Sequence, residues 1–134
     1  MREPNTGGCL CGNIRYRFTG DPLWSGYCHC ASCRRNTGAV VACFVGLRPQ
    51  QLQWTAGLCR EYESSTDVWR GFCGDCGTPI SYRAKRWPYE IHLYTGSLDL
   101  PDAHPPQFHV FCSEKVSWYD SADDLPRHAR TSLD

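Results

Sequence analysis

Two short cysteine knuckles constrain the fold of this chain more than any other feature. Gly7-Gly8-Cys9-Leu10-Cys11-Gly12 lies near the start, and Cys73-Gly74-Asp75-Cys76-Gly77 follows about sixty residues later. Glycine beside the cysteines lets the backbone turn tightly enough for neighbouring sulfurs to converge on one point. Two sulfurs from each knuckle make four, the complement of a closed tetrahedral zinc site. An ion shared between the knuckles staples the start of the chain to its middle. Between them, Cys28-His29-Cys30-Ala31-Ser32-Cys33 offers three more thiolates in six residues.

Ten cysteines in 134 residues would suit a disulfide framework in a secreted protein. The first 25 residues carry no apolar signal-peptide core, however, and the cysteines cluster as C-x-C, C-x-C-x-x-C and C-x-x-C, spacings that favour metal. A zinc protein of the cytoplasm is the expectation. Formal net charge is zero, so nothing calls for nucleic acid or a charged membrane surface. No run approaches the ~18 apolar residues of a membrane-spanning helix.

The rest of the chain reads as one mostly β domain over residues 7–126, with loose termini at 1–6 and 127–134. Alternation predicts strands over 14–18 and 90–94, and the apolar run 39–45 predicts a strand buried on both faces. Residues 32–37 form one helical turn closed by Gly38, and Pro49 starts a short helix. Residues 59–64 and 68–72 read as a hairpin that delivers the chain into Cys73, and 107–111 with 116–119 as a last strand pair.

Several motifs together resemble the glutathione-dependent formaldehyde-activating family, which includes centromere-protein-V-like zinc domains. They are Gly8-Cys9-x-Cys11-Gly12, Cys28-His29-Cys30-x-x-Cys33-Arg34-Arg35-x-Thr37-Gly38 and Phe72-Cys73-Gly74-x-Cys76-Gly77-Thr78-Pro79, followed by Gly96-Ser97-Leu98-Asp99 and His109-Val110-Phe111. The resemblance runs from about Gly7 to Pro126. It implies small antiparallel sheets around a structural zinc, similar to the fold of a zinc-bearing Rab-interacting chaperone. It also implies a structural zinc on Cys9, Cys11, Cys73 and Cys76, and a second, catalytic zinc on Cys28, Cys30 and Cys33. The implied activity is that of a carbon–sulfur lyase (or synthase) acting on the adduct of glutathione and formaldehyde.

The residues speak to the same chemistry independently. Four thiolates saturate a zinc and leave no room for substrate, whereas three on one loop leave a position for an external thiol, whose proton the ion's charge displaces. The alternative is a second closed site, with its fourth ligand from Cys43, Cys59, Cys112, His29 or His109. Arg34-Arg35 suit a carboxylate clamp for glutathione, or equally a solvated basic pair. Thr37 and Gly38 offer a hydroxyl and an amide nearby. Three functions stay open: the lyase, a thiol-binding zinc module without turnover, and a structural interaction domain with two closed zinc sites.

Overall fold

A computed structural model describes residues 5–133. In chain order the strands are β1 (Thr6–Gly8), β2 (Arg15–Phe18) and β3 (Trp24–Cys28), then helix α1 (Ala31–Thr37), β4 (Ala42–Leu47), β5 (Leu52–Ala56), β6 (Arg60–Ser65), β7 (Val68–Phe72), β8 (Pro79–Ala84), β9 (Ile91–Tyr94) and β10 (His109–Val110). They form a three-stranded sheet, β1-β2-β5, and a seven-stranded sheet, β10-β3-β4-β9-β8-β7-β6. All pairings are antiparallel except β10 with β3. Among the described residues no helix is long and apolar enough to cross a membrane.

The apolar run around β4 is an interior strand of the larger sheet, third of seven, and it is buried on both faces as its composition predicts. Its odd positions Val45 and Leu47 join Ile14, Tyr16 and Phe18 of the smaller sheet's side, together with Ile80 and Leu93, in one core. Its even positions Ala42 and Phe44 join Cys28, Cys33 and Tyr94 in a second core on the opposite face. The first core holds Cys9 and Cys73 of the knuckles, so the two cysteine clusters are walled off from each other by a sheet.

Three sequence expectations shift. Pro49 starts only a three-residue 3₁₀ turn before the chain extends into β5. The run from Ala39 enters its strand only at Ala42. Val116–Tyr119 forms no strand, and Trp118 stands 74% exposed. The place beside β10 is taken by the chain from Pro126 to Arg130. His109 donates its amide to the Pro126 carbonyl at 2.8 Å, His128 donates to the His109 carbonyl at 2.9 Å, and Phe111 donates to the Arg130 carbonyl at 2.8 Å. Residues 127–130, part of the end read from sequence as loose, thus lie along β10 and the residues that follow it; residues 1–4 and 134 lie outside the described residues.

Candidate metal centres and cleft

The two knuckles fold alike. In the first, Gly12 donates its amide to the Cys9 carbonyl at 3.1 Å and Cys9 donates to the Ile14 carbonyl at 3.1 Å. In the second, Gly77 donates to Cys73 at 2.8 Å and Cys73 donates to Thr78 at 3.0 Å. Gly12 and Gly77 sit at φ +83° and +81°, left-handed backbone that glycine adopts without a Cβ penalty. Amides point inward at the sulfurs: Ile14 N–H lies 3.2 Å from Cys9 Sγ, and Asp75 N–H 3.4 Å from Cys73 Sγ. The knuckles are also tied directly, through Leu10 N–H to Thr78 Oγ1 (3.0 Å) and Asn13 Nδ2 to Asp75 Oδ2 (2.9 Å).

The four sulfurs of Cys9, Cys11, Cys73 and Cys76 all lie within 4.8 Å of one another. Cys9 and Cys11 are 3.6 Å apart, and Cys11 and Cys73 3.8 Å. A tetrahedral ion with Zn–S bonds of about 2.3 Å needs sulfur–sulfur edges of about 3.8 Å, so this donor set fits zinc in both number and spacing. The Thr78 hydroxyl, 3.1 Å from Cys76 Sγ, holds that thiol down at about 5, in the direction of the thiolate a metal requires.

The second cluster sits on the loop between β3 and α1. Cys28 ends the strand, Cys30 caps the helix by accepting the Cys33 amide at 3.3 Å, and Gly38 closes the helix by donating to the Arg34 carbonyl at 2.7 Å. The three sulfurs lie within 4.8 Å of one another, with Cys28 and Cys33 3.6 Å apart. Hydrogen bonds from the Cys28 and then the Cys33 thiol pull Cys30 down, and the bond to Cys30 pushes Cys28 up. Among the described residues no fourth His, Cys, Asp or Glu joins the group. Cys43, Cys59, Cys112, His29 and His109 all stay outside it.

His29 turns away from the sulfurs. Its side chain is 2% exposed, and its Nε2 lies 2.8 Å from His109 Nδ1. The far nitrogen of His109 is 3.1 Å from Asp123 Oδ1, and Tyr27 stacks on the His109 ring at 4.6 Å. This chain clamps the cysteine loop to β10 and to the segment beyond it. Cys43 and Cys59 are partly buried thiols pushed up by desolvation, Cys59 to about 12. No cysteine forms a disulfide.

The three-cysteine cluster opens into a cleft of about 530 Å³. Trp24, Phe44, Tyr82, Trp87, Phe108 and Phe111 supply aromatic walls. Arg70 of β7 also lines it, although only 5% exposed. Its Nη1 lies 3.5 Å from Cys33 Sγ and 3.0 Å from the Tyr94 hydroxyl, its Nε donates to Ser64 Oγ at 3.1 Å, and its guanidinium stacks on Tyr82 at 5.1 Å. Sequence reading passed over Arg70, yet its signal was present: in a strand it shares a face with Val68 and Phe72, an unusual place for a charge.

Arg34, Arg35, Thr37 and Gly38 do not line this cleft. Arg34 and Arg35 occupy the last turn of α1, and the Arg34 Nε is buried with no hydrogen-bond partner. Thr37 fastens the helix end, donating to the Cys33 carbonyl at 2.8 Å and accepting from the Ala39 amide at 3.1 Å.

Residues 4–114 match the family described as glutathione-dependent formaldehyde-activating enzyme. A search of curated proteins returned no significant match. Among solved structures, a Rhodobacter sphaeroides protein determined by structural genomics shares the fold, with a TM-score of 0.57 at 24% identity over 70% of this chain and 87% of its own.

Proposed function

Because the chain belongs to the glutathione-dependent formaldehyde-activating enzyme family, we propose that it is a zinc-dependent carbon–sulfur lyase (or synthase) acting on the adduct of a small thiol and an aldehyde. The family description nominates glutathione and formaldehyde for those parts. The observation that carries this reading is the set of three sulfurs facing a cleft with no fourth protein ligand among the described residues. Cys28, Cys30 and Cys33 would hold the ion, and Cys9, Cys11, Cys73 and Cys76 a second, structural one. When bound in the open site, zinc supplies positive charge that favours the thiolate form of an incoming thiol.

The chain's own residues do the rest. Arg70 places a permanent cation against Cys33, offsetting the negative charge that three thiolates bring into a buried site. The aromatic walls exclude water and hold the two reactants side by side, replacing a bimolecular encounter by a positioned one. In the synthetic direction the thiolate sulfur bonds to the aldehyde carbon, the carbonyl π bond breaks, and the oxygen takes the proton that the thiol released. Lysis is the reverse. No oxidant or reductant enters. Ten unpaired cysteines suit a reducing compartment, and the cytoplasm is the proposed location.

Calorimetric titration of glutathione into the zinc-loaded protein, with S-methylglutathione as control, tests the reading. Binding of the free thiol alone, with proton release, is the expected result. Failure of both glutathione and an uncharged thiol to bind refutes an open, thiol-accepting site.

A further inference from the structure

Glutathione carries two carboxylates, and the cleft is poorly matched to them. Among its lining residues the one Lys or Arg is Arg70, whose Nε and Nη1 are engaged by Ser64, Tyr94 and Cys33. The lining acids point the other way. Glu90 accepts from Trp24 Nε1 at 3.0 Å and lies 2.9 Å from His92 Nε2, and Glu114 accepts the Ala31 amide at 2.9 Å. Two fixed carboxylates in the lining disfavour an anionic ligand, and stripping water from an unpaired carboxylate is costly. Arg34 and Arg35, the other basic pair near the cluster, lie outside the lining.

The aromatic wall is built into the backbone. A Cβ on Gly46 would overlap the Trp24 ring, and one on Gly26 would stand 2.5 Å from Phe108. The two rings lie directly on the sheet at these glycines, 5.8 Å apart between centroids. Phe44 and Tyr82 meet edge-on at 6.1 Å, and Trp87 adds a partly exposed face. A space of about 530 Å³ so walled is far larger than a hydroxymethyl group fills.

We propose that the cleft takes a thiol–aldehyde adduct whose organic body is uncharged and apolar, an aromatic one above all, seated among Trp24, Phe44, Tyr82, Trp87 and Phe108 with its sulfur at Cys28, Cys30 and Cys33. This rests on the lyase reading above and specifies its substrate class.

The test compares phenylmethanethiol with glutathione, each titrated calorimetrically into zinc-loaded protein, wild type and Trp87→Ala. Phenylmethanethiol is expected to bind at least about tenfold more tightly than glutathione, by the apolar area its ring removes from water. Trp87→Ala is expected to lower that affinity about tenfold and to lower that of glutathione far less. Phe108→Leu serves as a second variant with the same expectation. Glutathione binding as tightly as phenylmethanethiol, or tighter, overturns the substrate class and leaves the lyase reading standing. So does phenylmethanethiol affinity that neither variant changes, because the thiol would then be held by its sulfur alone. If neither thiol binds, the lyase reading falls and this inference with it.

Discussion

Cys11→Ser separates the metal's contribution to stability from packing, because Cys11 is the exposed member of the four-cysteine group. Its sulfur lies 3.8 Å from that of Cys73, 62 residues further along the chain. An ion joining them closes a loop of that length in the unfolded ensemble, and the chain-entropy relation used for disulfides gives about 4 kcal/mol for such a closure. That is a large part of the roughly 5–15 kcal/mol that holds a typical domain folded. Removing the exposed thiol leaves the apolar core intact, so the whole effect should come from the lost cross-link. The assay is urea unfolding of wild type and Cys11→Ser, each with and without a zinc chelator strong enough to strip the variant. Wild type should lose at least about 4 kcal/mol on complete metal removal, that much from the four-cysteine cross-link and any remainder from the three-cysteine site, and the stripped variant should match stripped wild type. If fully stripped wild type unfolds at the same urea concentration as the loaded protein, the cross-link reasoning is wrong.

Other perturbations probe the opposite face of the sheet. Arg70→Met should weaken metal binding at Cys28, Cys30 and Cys33 by about 10–100-fold and leave the four-cysteine site unchanged, as read by chelator competition; equal weakening at both sites would show a general loss of fold. Gly46→Ala should displace the Trp24 ring, at a cost of about 1–3 kcal/mol, and change the near-ultraviolet circular dichroism; an unaltered spectrum would refute the contact. Burial pushes the Cys59 thiol to about 12, with the Glu61 carboxylate adding to it. At pH 9 its iodoacetamide alkylation, followed by peptide mapping, should run about 500-fold below that of an unperturbed thiol. Since the unfolded chain loses this proton first, Cys59 should also lower stability as pH rises from about 9 towards 12.

Local chemistry was legible in the sequence; long-range partnerships were not. Glycine-flanked cysteines announced the knuckles, and the apolar run at β4 announced a strand with two buried faces. Gly38 marked the end of α1. Val116–Tyr119 misled because alternation describes a strand's faces and says nothing of which neighbour fills an edge, and residues 126–130 fill it. Arg34 and Arg35 drew attention by adjacency to Cys33, whereas Arg70, 37 residues from Cys33, reaches the cluster only through the order of strands in the sheet. The pairing of His29 with His109 across 80 residues is likewise a product of topology.

Register lends the large sheet an arithmetic. Trp24 pairs with Gly46, Gly26 with Phe44, Phe44 with Tyr94, Gly46 with His92, His92 with Tyr82 and Tyr82 with Arg70, so even-numbered residues of five neighbouring strands share one face. Odd-numbered Val45 and Leu93 pair on the other, where the first core lies. Heredity can therefore revise the two faces separately. Substitutions at even positions alter what the cleft accepts, while odd positions keep the scaffold. A single-residue insertion within β4 would interchange the two sets beyond it, turning scaffold residues into the cleft and cleft residues into the scaffold. Descendants of this chain are free to change substrate by substitution, but not by changing strand length one residue at a time.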